Sequence, residues 1–325
     1  MRRVILFLCL FSCLALAGCM QANVSLFGDP GAPYREQTLS GKGDQKILLV
    51  SIDGLISEHP RDGLLSSKPS AVQEVAAQLK LAREDKAIKA VLLKIDSPGG
   101  TVTASDVIYH ELMAYKKDTG AKVVAQIMGL GASGGYYAAL ASDSICAQPT
   151  AITGSVGVIF LMPRLSGLMD KIGVGVDVSK SGAQKDMGSP FRPATEEEKK
   201  LTDAMVKAQA ERFLGLVMER RGLAPQALAT VSTARVFTAP EAKELGLVDS
   251  IGYMEDAVAE AGKLAGLPKD ARVVAYRRRP GANPTWYQPG AEAVEGSGPR
   301  ASLVDVSGLL PRPGAYALWT PGLGD

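Results

Sequence analysis

Apolar residues in this chain gather in short runs separated by stretches of helical periodicity. Residues 47–52 (ILLVSI), 90–95 (AVLLKI) and 122–128 (KVVAQIM) are too short for helices and too apolar for one-sided strands, so they predict strands buried on both faces. Between the first two, Ser70 and Gln73 stand at capping-box spacing, and Val72, Val75, Ala76 and Leu79 share one helical face. A second helix is predicted over 104–117, and segments 133–142, 144–147 and 155–160 continue as helix, strand and strand. Thr195, with Glu198 three residues on, opens a long helix with the apolar stripe Leu201, Ala204, Met205 and Ala208, which Gly222 ends. Strands alternating with helices imply a layered α/β core with parallel pairing. The Gly-rich motifs occur once each, so the chain holds one unit and no internal duplication.

Both ends depart from this rhythm. Arg2-Arg3 precede an apolar run over 4–16 that is short for a bilayer span and ends in Leu16-Ala17-Gly18-Cys19. That ending resembles the lipobox of bacterial lipoproteins. The resemblance makes 1–18 a lipoprotein signal peptide and Cys19 a lipid anchor, with the working domain outside the cytoplasm, in the cell envelope or periplasm. Residues 19–44 read as a tether, 45–265 as the working domain, and 266–325 as a C-terminal extension rich in Pro and Gly.

Composition narrows the chemistry. Of 325 residues, two are histidines: His59 falls in a polar stretch that reads as a solvated loop, and His110 within a predicted helix, where a surface or packing role is expected. Three of the four cysteines (Cys9, Cys13, Cys19) lie at the start, and Cys146 reads as core, so neither a disulfide framework nor a zinc site is expected. No metal and no cofactor is predicted. A net charge of +2 without an aromatic and basic stripe gives no footprint for nucleic acid.

The densest motif is Gly131-Ala132-Ser133-Gly134-Gly135-Tyr136-Tyr137, directly after a predicted strand. A serine at a glycine-flanked strand-to-helix turn exposes its hydroxyl near a helix N-terminus, which suits a nucleophile. Asp96-Ser97-Pro98-Gly99-Gly100 follows the preceding strand and can present backbone N–H groups as an oxyanion hole requires. Alone, the serine motif reads better as a helix cap with glycines for tight packing and the other as a plain turn; together they occupy one edge of the sheet. With neither histidine suited to a triad, a lysine is the alternative base, and Lys180 and Lys185 both qualify.

The order of five segments resembles the signal peptide peptidase A, or protease IV, family in its short form. They are Asp96–Gly100, Gly131–Tyr137, TGSVGV at 153–158, Ser181–Asp186, and TARVFTAPEAKELGLVDSIG at 233–252. The resemblance spans about residues 45–265. It implies a ClpP/crotonase-like layered fold with a helical assembly element. By it, Ser133 is the nucleophile, Lys185 the general base and Ser155 the contact of that lysine, with Gly99, Gly100 and Gly134 forming the oxyanion hole. It further implies a homo-oligomer, an octameric ring with active sites shared between subunits, and apolar peptide substrates such as signal-peptide remnants. Ile159, Phe160, Leu161 and Met162 are expected either to line substrate pockets or to form core strand. The apolar patch Ala315–Trp319 is expected to pack on the surface or lie free; occupancy of the substrate groove, with self-cleavage, is its alternative. Two other functions fit the fold: a crotonase-like acyl-CoA enzyme, and a non-catalytic membrane assembly protein.

Overall fold

The computed structural model describes residues 32–62, 67–278, 284–288 and 314–319. The signal segment and Cys19 lie outside the described residues. In chain order the first strands are β1 (Arg35–Ser40), β2 (Lys46–Asp53), β3 (Arg61–Asp62), β4 (Ser67–Lys68), β5 (Ile88–Ser97), β6 (Gly99–Thr101) and β7 (Lys122–Ala132). They continue as β8 (Ser144–Ala147), β9 (Ile152–Gly154), β10 (Ile159–Leu161), β11 (Val236–Thr238), β12 (Ser250–Ile251), β13 (Arg272–Arg277) and β14 (Gly314–Leu318). The helices are α1 (Ala71–Glu84), α2 (Val102–Thr119), α3 (Gly134–Ala139), α4 (Ser166–Ile172), α5 (Glu196–Arg221), α6 (Pro225–Val231), α7 (Ala239–Glu244) and α8 (Met254–Leu264).

The main sheet runs β1-β13-β2-β5-β7-β8-β12, with β9 also beside β7 and β11 beside β9, and its pairings are parallel except for β1 against β13 and β11 against β9. Period-two alternation in the central strands sends side chains into two cores. Leu48, Val50, Val91, Leu93, Val123 and Ala125 face α1, α2 and α3, while Ile47, Leu49, Ala90, Leu92 and Val124 face Met254, Ala257 and Ala261 of α8. Burial on both faces is why these segments read as continuous apolar runs. The sheet also takes in β1, from the segment read as tether, and β13, from beyond residue 265.

Three sequence expectations change in detail. Ser70 caps α1, accepting from the Gln73 amide, but the buried face is Ala71, Val75, Gln78, Leu79 and Ala82. Val72 and Ala76 sit only at its margin. Residues 155–160 are not one strand, because Ser155 at φ 51° breaks extended backbone and leaves β9 before it and β10 after it. The expected stripe of α5 faces outward, Leu201 and Met205 being 42% and 37% exposed. The full capping box of Thr195 and Glu198 starts α5 and Gly222 stops it, and the helix packs through Glu198 and Thr202 in its first half and through Phe213 and Val217 in its second.

Tyr136 fixes the helix after the nucleophile motif. Its ring is fully buried and its hydroxyl donates to the Leu247 carbonyl at 2.7 Å. Tyr136→Phe leaves that carbonyl short of a donor, so a loss of about 1–3 kcal/mol is expected in urea unfolding.

Candidate active site

Two strands of unequal length set up the cleft. β5 ends at Ser97 and β7 at Ala132, and the register pairs Ser97 with Gly131, so the PGG turn and the nucleophile turn meet at one sheet edge. Glycine permits the approach: a Cβ on Gly134 would lie 2.3 Å from Ser105 Oγ, and one on Gly135 would lie 2.9 Å from the Ser97 carbonyl.

Ser133 sits at φ 52° and ψ −115°, a region that residues with a Cβ rarely adopt and that costs on the order of 1–3 kcal/mol. Three neighbours hold it there. Its N–H donates to the Gly154 carbonyl at 2.8 Å, its carbonyl accepts from Tyr137, and Thr153 Oγ1 donates to the Gly131 carbonyl at 2.6 Å. The Ser133 side chain is buried, and among the described residues its Oγ has no hydrogen-bond partner. The following helix has six residues, so its dipole contributes little beside the individual amides.

Of the three glycines expected to form the oxyanion hole, two offer an amide. The Gly99 N–H is engaged by Ser97 Oγ at 3.1 Å, and that hydroxyl in turn donates to the Gly54 carbonyl at 2.6 Å. Gly99 instead supplies the turn, at φ 105°. Its carbonyl accepts from Ile56 N–H, and the Ile56 carbonyl accepts from Thr101 N–H. In extended backbone this points both polar groups of Gly100 the other way, into the cleft. Gly134 lies beside it, since a Cβ there would stand 3.1 Å from Gly100 N. Ser97 and Ile56, which aim these amides, are invisible as site residues in sequence; the only signal is the polar Ser97 preceding the PGG turn.

Ser155 also has positive φ, is buried, and donates its N–H to the Arg235 carbonyl at 2.9 Å. The pairing of Ala132 with Gly154 sets it next to the nucleophile turn. Lys185 is elsewhere. It is exposed on the excursion between β10 and α5, and among the described residues its ammonium has no partner. The structure therefore gathers Ser133, Gly99, Gly100, Gly134 and Ser155, and leaves Lys185 outside the group within one copy. Lys180, the rival lysine, pairs with Asp186 at 2.7 Å. His59 and His110 are both exposed.

The Lys185 loop is clasped to the start of α5. Arg192 bridges Asp186, at 2.8 Å, and the buried Glu198 of the capping box. The Arg192 guanidinium holds the Glu198 carboxyl down at about 2 and, with Lys180, keeps Asp186 well below the usual carboxylate range. Depressed carboxylates stabilise above their unfolded pKa, so this clasp persists at ordinary pH and opens only in strong acid. Around it the excursion exposes Leu168, Ile172, Val174, Val176, Val178 and Phe191. None of these features was legible from the lysine motif alone.

The cleft is occupied by the chain itself. β14 runs antiparallel between β6 and β10, and so neither packs on the surface nor lies free as the sequence led us to expect. Ile159, Phe160 and Leu161 are the wall on its far side and half-buried, not core strand.

Among the described residues, no group of acidic, histidine or cysteine side chains could hold a metal ion, and no helix is long and apolar enough to cross a membrane. The layered sheet and helices have a Clp protease-like fold, and residues 66–151 match the Clp protease family. Residues 115–268 match peptidase family S49. A protein of Enterococcus faecium that carries the name signal peptide peptidase SppA is 36% identical over 272 residues, covering 83% of this chain and 78% of its own. The chloroplastic serine protease SPPA of Arabidopsis thaliana is 32% identical over 240 residues (72% and 34%), and Protease 4 of Salmonella typhi 35% over 192 (59% and 31%). The chain belongs to the signal peptide peptidase A family of serine proteases.

Proposed function

We propose that the protein is a membrane-anchored serine endopeptidase whose nucleophile, Ser133, is activated by Lys185 of a neighbouring copy, and that it hydrolyses apolar peptides such as signal-peptide remnants. The observation that carries this reading is the pairing of two incomplete halves. Ser133 Oγ is buried beside the Gly100 and Gly134 amides without a base, while Lys185 is exposed on an arm lined with uncovered apolar side chains. Docking that arm on a second copy covers the apolar surface and brings an amine to the hydroxyl. Repetition around a closed ring, eight subunits in the expected form, satisfies every copy. The family relationship favours peptide hydrolysis over crotonase-like or purely structural roles, and the apolar β10 wall suits apolar substrates. Lipidation at Cys19 would place the cleft at a membrane surface in the cell envelope.

In the mechanism, neutral Lys185 takes the Ser133 proton as Oγ attacks the peptide carbonyl. The oxyanion settles between the Gly100 and Gly134 N–H groups, and the lysine protonates the departing amine. Water then resolves the acyl-enzyme with the same base. The test is hydrolysis of a quenched apolar peptide by the full-length protein in detergent. Ser133→Ala and Lys185→Ala should each lose at least about a thousandfold in kcat/KM. A lysine is a base only when deprotonated, so wild-type kcat/KM should climb as pH rises. An acidic optimum, or near-normal activity of Lys185→Ala, removes Lys185 as the base.

A further inference from the structure

We propose that Lys94 is a positioning residue for catalysis, holding from the far face of the sheet the two turns that carry the oxyanion amide and the nucleophile. The inference rests on the reading of Ser133 and Gly100 above. Its own support is a buried cation for which the mechanism has no use. Lys94 is 5% exposed and follows Ala90 and Leu92 on the face of β5 turned to α8. Toward the strand starts that face is apolar. At the end next to the cleft it turns polar: Lys94 stands beside the buried Gln126 of β7, and the buried Arg277 lies two strands away on β13. An ammonium gives up its hydration there at considerable cost, so its contacts have to account for it.

Those contacts lead to both halves of the site. The Lys94 ammonium lies 3.7 Å from Asp53 Oδ1, at the end of β2. Burial pulls its pKa below the usual lysine value; Asp53 opposes the shift, Arg277 adds to it and Asp96 opposes it. Asp53 runs directly into the loop that aims Gly100. Gly54 N–H donates to the Asp96 carbonyl at 2.8 Å, its own carbonyl accepts from Ser97 Oγ, and Ile56 grips the Gly99 carbonyl and the Thr101 amide. Asp96 leads to the other half, since its Oδ1 accepts from Leu130 N–H at 3.0 Å, immediately before the GASGG turn. Lys94 therefore sits behind two carboxylates, one heading each turn. The segment 284–288 closes over it. Lys94 donates to the Gln288 carbonyl at 3.1 Å, Arg277 donates to the Thr285 carbonyl at 3.4 Å, and Trp286 packs on the core under α8. That strap keeps the ammonium from swinging out to water.

Charge balance does not call for this lysine. Arg277 also bears on Asp53, and Asp96 is exposed, so without Lys94 the half-buried Asp53 carboxylate still faces a buried cation. Two buried cations beside one such carboxylate is an arrangement that stability alone disfavours. What Lys94 adds is a fixed distance between β2 and β5 at the height where their ends diverge into the site. Its register partner on β2 is Ser51, and it reaches on to Asp53, two residues nearer the cleft. Without that reach the loop behind Gly100 and the turn of Ser133 lose their mutual alignment on a reacting carbonyl, and small misplacements of this kind are expensive in rate. The loss falls on the transition state and leaves peptide binding largely intact.

The test is a double-mutant cycle on turnover, with the full-length protein in detergent and a quenched apolar peptide. Lys94→Met keeps most of the side-chain volume and removes the charge; kcat should fall at least about tenfold, with KM within about twofold of wild type. Asp53→Asn should lower kcat in the same way. The double variant should lose no more than the worse single one, because the same ion pair is broken in all three. Melting temperature should part from activity, Lys94→Met staying within about 5 °C of wild type because Arg277 still faces Asp53. A Lys94→Met enzyme with wild-type kcat, a loss carried by KM, or losses that multiply in the double variant overturns the inference. Lys185→Ala reads the dyad separately. An inert Lys185→Ala beside a fully active Lys94→Met sinks the positioning role and leaves the dyad standing, and a wild type that cleaves nothing removes both.

Discussion

Ser133→Ala and Lys185→Ala subunits, each inert alone, are expected to recover about a quarter of wild-type activity when co-assembled at equal proportions. The fraction follows from chance. On the proposed shared site, catalysis needs an intact serine from one copy and an intact lysine from the next, and random mixing supplies each in half of the subunits. The structural reason is the separation within one copy, where Ser133 Oγ is buried and unpartnered and Lys185 is exposed. The arm bearing the lysine is hung from α5 by the Asp186–Arg192–Glu198 clasp, and its Leu168 and Ile172 are 59% and 62% exposed. Apolar side chains gain about 25 cal/mol for each Å² removed from water, so an arm of this kind is stabilised by docking on another surface. Co-expression with two affinity tags, tandem purification and hydrolysis of a quenched peptide measures the recovery. Mixed assemblies that stay inert would sink the shared site.

The sequence was most informative where burial acts on both faces of a strand. The predicted runs 47–52, 90–95 and 122–128 lie within β2, β5 and β7, because parallel strands under helices admit few polar residues. β1 and β13 were missed for the complementary reason. β1 is the edge strand and covers β13, whose short buried apolar run stands between Arg272 and Arg277; β1 itself carries Arg35 and Glu36, and Pro and Gly surround both segments. The caps Ser70 and Thr195 were legible because capping is local. The facing of α5 was not, since a periodic pattern identifies an apolar side without naming what covers it; Leu201 and Met205 wait outside the copy that carries them. The site divides along the same line. Ser133 and both glycine turns follow from motif chemistry, whereas the choice of Gly100 over Gly99 as oxyanion donor depends on Ile56, forty-odd residues upstream in the chain and adjacent only in the fold. Likewise the patch at 315–319 was visible as apolar, but only its pairing with β6 and β10 reveals what it touches.

Gly100→Ala should lower kcat by about a hundredfold to a thousandfold, the range for losing one oxyanion donor. A Cβ at this position would fall 1.8 Å from the Ile56 carbonyl oxygen and 2.5 Å from its carbon, and neither is the end of a flexible side chain that could swing away. The Ile56 backbone must shift, and with it the two hydrogen bonds, to the Gly99 carbonyl and from Thr101 N–H, that aim the Gly100 amide into the cleft. Overpacking of this kind also costs about 1–3 kcal/mol of stability, so activity has to be separated from unfolding. Gly120→Ala provides the separation. Gly120 caps α2 at φ 70° with open space around its missing Cβ, away from the cleft, so its substitution costs about 1 kcal/mol through backbone strain alone. Melting temperatures of the two variants should both drop, while kcat collapses only in Gly100→Ala. KM should change less than kcat, since the amide acts on charge that develops in the transition state and is absent from the bound peptide. A Gly100→Ala enzyme with the kcat of Gly120→Ala would mean that the oxyanion is held elsewhere.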